Sequence, residues 1–250
     1  MEEKVIIEWT FTPENHFEDE IKQDRGAFEL EIVNGRVSAT LSASIYDRNN
    51  KILDGINSEV NALFMGVQVV SHKPFNLSKY TMYRQYPDGR KDVTVFPGLC
   101  VMKVGSGTVD ILVTDSAGNI IADTRADRIR EKLEFAELSA KHSGTDSTVR
   151  RMLSSYEASV SDPANELVHL YEIRDALKKK FRNEKAAKSS LGISDTDWKR
   201  LGSLSNNEPL RQGRHRGQNS DTLRDAANEE LAEARLIAKS MLLAYLKYID

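Results

Sequence analysis

The spacing of apolar residues changes once along this 250-residue chain, near Asp123, and no other feature constrains the fold as much. Before that point apolar and polar residues alternate, the period of a strand with one buried face. After it apolar residues recur every three or four positions, the period of an amphipathic helix. One such switch predicts an α+β protein: an N-terminal antiparallel β-rich domain over residues 1–123, a helical connection over 124–159, and a C-terminal α-helical bundle over 160–250.

In the first half, Val5-Ile6-Ile7-Glu8-Trp9-Thr10-Phe11 is rich in β-branched and aromatic residues and runs up to Pro13, which predicts a strand. Phe28, Leu30 and Ile32 alternate ahead of Asn34-Gly35, and Val37 follows. Asn-Gly between two alternating runs predicts a tight hairpin, because both turn residues need positive φ. The pattern resumes through Leu41 and Ile45, with a turn expected at 47–50. Tyr86-Pro87-Asp88-Gly89-Arg90 predicts a second turn, leading into Val93-Thr94-Val95-Phe96. Residues 109–114 and 120–122 flank a third turn. Short helices are expected only at 14–24 and 58–64. Turns this short join antiparallel strands, since parallel ones need long crossovers, so the half reads as a sandwich or curled sheet.

This half carries little recognisable chemistry. Gly105-Ser106-Gly107 lacks a third glycine and a following helix, so it reads as turn glycines rather than a dinucleotide loop. Cys100 is the only cysteine, which excludes an intrachain disulfide and a thiolate cluster, and it reads as a buried thiol. Tyr80, Tyr83 and Tyr86, interleaved with Lys79, Arg84 and Arg90, fit either strand packing or stacking on nucleic acid.

The second half reads as successive helices. Ile129, Leu133, Ala136 and Ala140 predict one over 124–142, stopped at Ser143-Gly144-Thr145-Asp146-Ser147, and a short helix is expected at 150–159. Ser161-Asp162-Pro163 opens the next, 164–181, with Leu167, Leu170, Tyr171, Leu177 and Phe181 on one stripe. Ser194-Asp195-Thr196-Asp197 caps a helix bearing Trp198, Leu201 and Leu204. The last helix, 222–249, carries Leu231, Ala234, Ala238, Met241, Tyr245 and Ile249 on one side, widened by Leu236, Leu243 and Leu246. A helix apolar on two sides is buried in its own core or against a second protomer, so a homodimer is expected.

Charge is also divided. Residues 1–124 hold 12 basic and 18 acidic residues, residues 125–250 hold 23 and 20, and the stretch 174–216 alone holds 12 and 5. Two basic features stand out. Arg174 lies on the apolar stripe of its helix, where a guanidinium must find a carboxylate or face inward as an anion ligand. The second is Asn206-Asn207-Glu208-Pro209-Leu210-Arg211-Gln212-Gly213-Arg214-His215-Arg216-Gly217, placed between two helices. Arginine forks grip phosphate. Flanking arginines hold His215 neutral, able to take a proton from a ribose 2′-hydroxyl. Arg211 and His215 are the candidate catalytic pair, and Arg214, Arg216, Arg174 and Gln212 the candidate substrate ligands. The other reading is a solvated basic loop or a nucleic-acid tether without catalysis.

Residues 160–250, in helix order and in the Arg211…His215 pair before the last helix, resemble the HEPN (higher eukaryotes and prokaryotes nucleotide-binding) superfamily of helical bundles. That resemblance implies a dimeric, metal-independent ribonuclease. Arg211 would be the phosphate ligand, Gln212 the polar follower, and His215 the acid or base. Three residues separate Arg211 from His215, where the family pattern has four to six.

Other reaction classes find no motif: there is no phosphate-loop sequence, no H-E-x-x-H pair and no G-x-S-x-G elbow. Histidines 16, 72, 142, 169 and 215 are widely separated, so no metal or other cofactor is expected. No apolar run approaches the roughly 20 residues of a membrane span. The start Met1-Glu2-Glu3-Lys4 lacks a leader pattern, which predicts the cytoplasm. The expected function is an RNA-binding or RNA-cleaving effector. The alternative is a non-enzymatic module whose residues 1–123 bind a protein partner and whose helical half oligomerises.

Overall fold

The computed structural model describes residues 2–95, 110–115, 119–214, 216 and 222–250. Cys100, Gly105-Ser106-Gly107, His215 and Gly217 lie outside the described residues. The chain forms two compact units, Met1–Val67 with Phe75–Glu134, and Gln68–Pro74 with Phe135–Asp250. The architecture is α+β, an antiparallel sheet in the first half and helices in the second.

The first unit begins with β1 (Lys4–Thr12), β2 (Ile21–Asp24), β3 (Glu29–Val33) and β4 (Arg36–Ser42), followed by α1 (Ala43–Arg48) and α2 (Ile52–Ser71). It continues with β5 (Asn76–Leu77), β6 (Thr81–Gln85), β7 (Lys91–Val95), β8 (Leu112–Thr114) and β9 (Ile120–Asp123). The main sheet has the order β2-β3-β4-β1-β6-β7, antiparallel throughout, with β5 also on β1. Asn34 and Gly35 have φ of 48° and 74°, so the β3–β4 turn is the primed hairpin its sequence predicts. Val5, Ile7, Trp9 and Phe11 alternate inward along β1 and are buried.

Two expectations fail here. The short helix expected at 58–64 is the 20-residue α2, despite Gly55, Gly66 and several valines. Ile56, Val60, Leu63, Phe64 and Val67 make a buried stripe, and that burial outweighs weak helix propensity. Trp9 Nε1 donates to Asn57 Oδ1 at 3.2 Å, and the Phe11 and Phe64 rings meet edge-on at 5.0 Å, so this helix covers the inner face of the sheet. Residues 14–24 are not a helix either: turns and bends lead into β2, whose Ile21 pairs with Ile32 of β3. A smaller difference lies after β4, where α1 takes up the residues expected to continue the strand through Ile45.

Helix α3 (Thr124–Ser143) crosses from one unit to the other. Its first half stays with the sheet because Arg128 forks onto Glu18 and Lys132 Nζ reaches Glu18 Oε1 at 2.6 Å. These two cations, Arg128 foremost, lower the Glu18 carboxyl to about 2.

The second unit contains α4 (Ser147–Ser161), α5 (Glu166–Lys180), α6 (Glu184–Leu191), α7 (Asp195–Gly202) and α8 (Asn228–Ile249). Pro163 opens a 3-10 turn ahead of α5, and a π-turn, Ser203–Asn207, follows α7. Leu167, Leu170, Ile173 and Leu177 of α5 pack into a core with Trp198, Leu201 and Leu204, and with Ala234, Ala238, Met241 and Tyr245 of α8. Of the residues expected to widen the α8 stripe, Leu246 is buried and Leu236 is 63% exposed. Asp146 caps α4 through Thr148 N (2.6 Å) and Val149 N (3.1 Å), and also holds Lys180 and the Tyr245 hydroxyl. Among the described residues, no helix is long and apolar enough to cross a membrane.

Candidate functional site

Helix α5 places Tyr171 and Arg174 one turn apart, and the loop after the π-turn brings Arg214 to the same place. The Arg174 guanidinium carbon lies 5.0 Å from the Tyr171 ring centroid and 5.0 Å from that of Trp198. The Arg214 carbon lies 4.8 Å from the Tyr171 ring. Two guanidinium groups therefore share one tyrosine, and a tryptophan extends the set. Each such contact stabilises by about 0.5–2 kcal/mol, more as water is excluded.

Arg174 meets the ion-pair reading in part. Its side chain is 15% exposed, and its Nη2 sits 3.5 Å from Glu184 Oε2, a long ion pair. Glu184 is more tightly engaged by Lys188 at 2.9 Å, which is the main reason its carboxyl is held below the usual range. The buried Nε of Arg174 has no hydrogen-bond partner. Buried polar groups are nearly always paired, and this donor is an exception. Ser205 Oγ and Asn206 Oδ1, in the adjoining π-turn, are likewise buried and unpaired. Gly202 is the close neighbour that keeps Arg174 in place: a Cβ there would overlap Nη1 and lie 3.2 Å from Cζ.

The basic loop is wound onto the protein rather than extended. Gly213 serves its own chain, because a Cβ at that position would lie 3.0 Å from the Ser205 carbonyl and 3.2 Å from that of Leu210. Arg214 N donates to Ser205 O at 2.7 Å, which aims its side chain back along α5 toward Asp175, 3.4 Å from Nη1. Arg216 does not join the stack. Its Nε donates to Gly213 O at 2.9 Å, and its Nη2 bonds Asn165 Oδ1 just before α5. Gln212 is a clamp: its Oε1 accepts from Ala226 N at 3.0 Å and its Nε2 reaches Asp225. Arg211 is exposed and held by its backbone, whose N–H donates to Arg224 O at 2.9 Å. This pairing, with Arg224 N donating to Pro209 O at 3.0 Å, explains why α8 starts at Asn228 and not at residue 222.

Of the six candidate residues, then, the fold gathers Arg174 and Arg214, gives Arg216 and Gln212 to the loop's own architecture, and leaves Arg211 exposed; His215 is outside the described residues. Sequence reading assigned Tyr171 and Trp198 to the core and missed their role beside Arg174. The i, i+3 spacing of Tyr171 and Arg174 was the available signal. In the first half Tyr80 meets Trp9, Tyr86 donates to Asp92 and has the Arg90 guanidinium carbon 4.9 Å from its ring centroid, and Arg84 pairs with Glu3 and Asp47.

A second polar cluster in this unit joins four segments. Glu166, 1% exposed, takes a two-pronged bond from Arg235 at 2.6 and 2.8 Å. His72 Nε2 lies 3.6 Å from Glu166, and its Nδ1 lies 3.3 Å from the Tyr156 hydroxyl. Burial, aided by Arg235, lowers His72 to about 4, so its imidazole is neutral near pH 7. With Glu166 and Tyr156 buried, the cluster is a structural tie for residues 68–74. Among the described residues, no group of three or more His, Cys, Asp and Glu side chains could hold a metal ion.

Compared with known proteins, the chain matches no family model, no curated protein and no solved structure.

Proposed function

We propose that the helical unit binds RNA, with Tyr171, Arg174 and Arg214 as the contact surface, and cleaves it with Arg211 and His215. The observation that carries the binding part is the shared tyrosine. Guanidinium planes and aromatic rings stack bases, and the same guanidiniums hold phosphates. The cleaving part rests on the sequence, and carries over what the HEPN resemblance implies. His215 would take the proton of a ribose 2′-hydroxyl as that oxygen attacks the neighbouring phosphorus. Arg211 would stabilise the charged oxygens, the 5′-oxygen would leave, and a 2′,3′-cyclic phosphate would remain. This chemistry needs no metal, and the reading takes the protein to be cytoplasmic.

The test is direct. Single-stranded RNA binds wild type, and Tyr171→Ala lowers affinity about tenfold or more, the 1–3 kcal/mol of one lost stacking contact. Cleavage proceeds in EDTA and stops in His215→Ala, while affinity persists. RNA that is bound and left intact by wild type at every pH removes the catalytic part; no binding at low salt removes the whole reading.

One observation favours a second role for the first unit. On the β8–β9 ribbon Ile111, Leu112, Val113, Ile120 and Ile121 are exposed, which suits a protein partner. Substituting Ile120 and Ile121 by Ser would abolish that association without changing RNA binding.

A further inference from the structure

We infer that the groove between α4 and α5 is a track for the phosphate backbone of a single RNA strand whose base is held at Tyr171; this rests on the function proposed above. The groove has a volume of about 590 Å³, and its lining includes Arg150, Arg151, Ser154, Glu172, Asp175 and Lys179. It is continuous with the stacking site through one residue. Asp175 lines the groove and also pairs with Arg214, the guanidinium over Tyr171. From Tyr171 to Lys179 the chain makes eight steps on α5, about 12 Å along the helix axis, so the groove leads away from the ring along its own helix.

Elsewhere in this unit many cations are paired, although Lys178, Arg182, Lys185 and Arg211 are, among the described residues, without a carboxylate. Arg200, Arg224, Arg235, Lys180 and Lys188 each have a carboxylate partner. Arg151 and Lys179 are exposed, and among the described residues neither has one. Arg150 spends one Nη on the carbonyls of Ser143 and Gly144, which fixes it at the groove's end. Cations without carboxylate partners on two helices that line one groove suit phosphodiesters. Of the two carboxylates in the groove, Asp175 pairs with Arg214 at 3.4 Å and Glu172 accepts from Ser155 Oγ at 2.9 Å. A single strand fits better than a duplex, because the stacking site needs an unpaired base.

The experiment compares wild type, Arg151→Ala/Lys179→Ala and Tyr171→Ala. All are full-length, with folding checked by circular dichroism. Each is titrated with a 12-nucleotide single-stranded RNA, a trinucleotide and hexaglutamate across a range of salt. Removing two phosphate contacts should lower the salt slope for the 12-mer by about 1.4, and its affinity about 25-fold at 0.1 M salt. Trinucleotide binding should be unchanged, while Tyr171→Ala should weaken both RNAs. If the double variant binds the 12-mer like wild type, or loses both RNAs equally, the track is overturned while the stacking site stands. Loss of hexaglutamate with RNA unaffected overturns it in favour of an acidic peptide. Wild type that binds neither RNA overturns the proposed function, and the track with it.

Discussion

Lowering the pH should destabilise the first unit in a window set by His16. This imidazole is buried, stacked on Phe64 at 5.0 Å with an 8° interplanar angle, and its Nε2 lies 3.1 Å from the Phe64 carbonyl. Burial lowers its pKa from 6.5 to about 4; the Phe64 carbonyl pulls the other way, and Lys132 adds a smaller downward push. A base with a depressed folded-state pKa binds fewer protons folded than unfolded. Its contribution is therefore intact above pH 6.5 and lost as pH falls from 6.5 to about 4. A shift of about 2.5 units corresponds to about 3 kcal/mol in total, of which about 2 kcal/mol is gone by pH 5. Glu18, with its carboxyl lowered to about 2, acts in a separate window below pH 4.5. The chain has two tryptophans, Trp9 in the first unit and Trp198 in the second. A Trp198→Phe background thus leaves Trp9 to report the first unit alone. Urea titrations followed by Trp9 fluorescence should show wild type losing about 2 kcal/mol between pH 7 and pH 5. His16→Phe, which keeps the aromatic stacking, should lose almost none. Equal losses in the two proteins would refute the assignment.

Three further outcomes follow from the second unit. Gly202→Ala forces Arg174 off Tyr171 and Trp198, so RNA affinity should fall about tenfold in a gel-shift assay; unchanged affinity would separate Arg174 from binding. Glu166→Gln leaves the Arg235 guanidinium without its carboxylate and should cost about 2–3 kcal/mol in urea, less than a fully buried pair because Arg235 is a third exposed. Asp146→Ala removes the cap of α4 together with the Lys180 and Tyr245 bonds, and should lower stability by about 2–3 kcal/mol. Asp146→Asn keeps the cap and should recover roughly half of that.

The sequence by itself determined what short-range stereochemistry decides. Asn34-Gly35 could only be a tight turn, Ser194 could only begin a helix, and alternation in Val5–Phe11 could only bury one face of a strand. Tertiary structure decided where local preference was weak or where partners lay far apart in the chain. The valines and glycines of α2 argue against a long helix, and the burial of Val60, Phe64 and Val67 on the sheet made one. The composition of the basic loop shows cations but not their neighbours. Only folding put Arg214 against Tyr171, 43 residues earlier, and turned Gln212 and Arg216 inward to hold the loop. Periodicity and turn chemistry act over a few residues, whereas the ring beneath a guanidinium is chosen by the packing of whole helices.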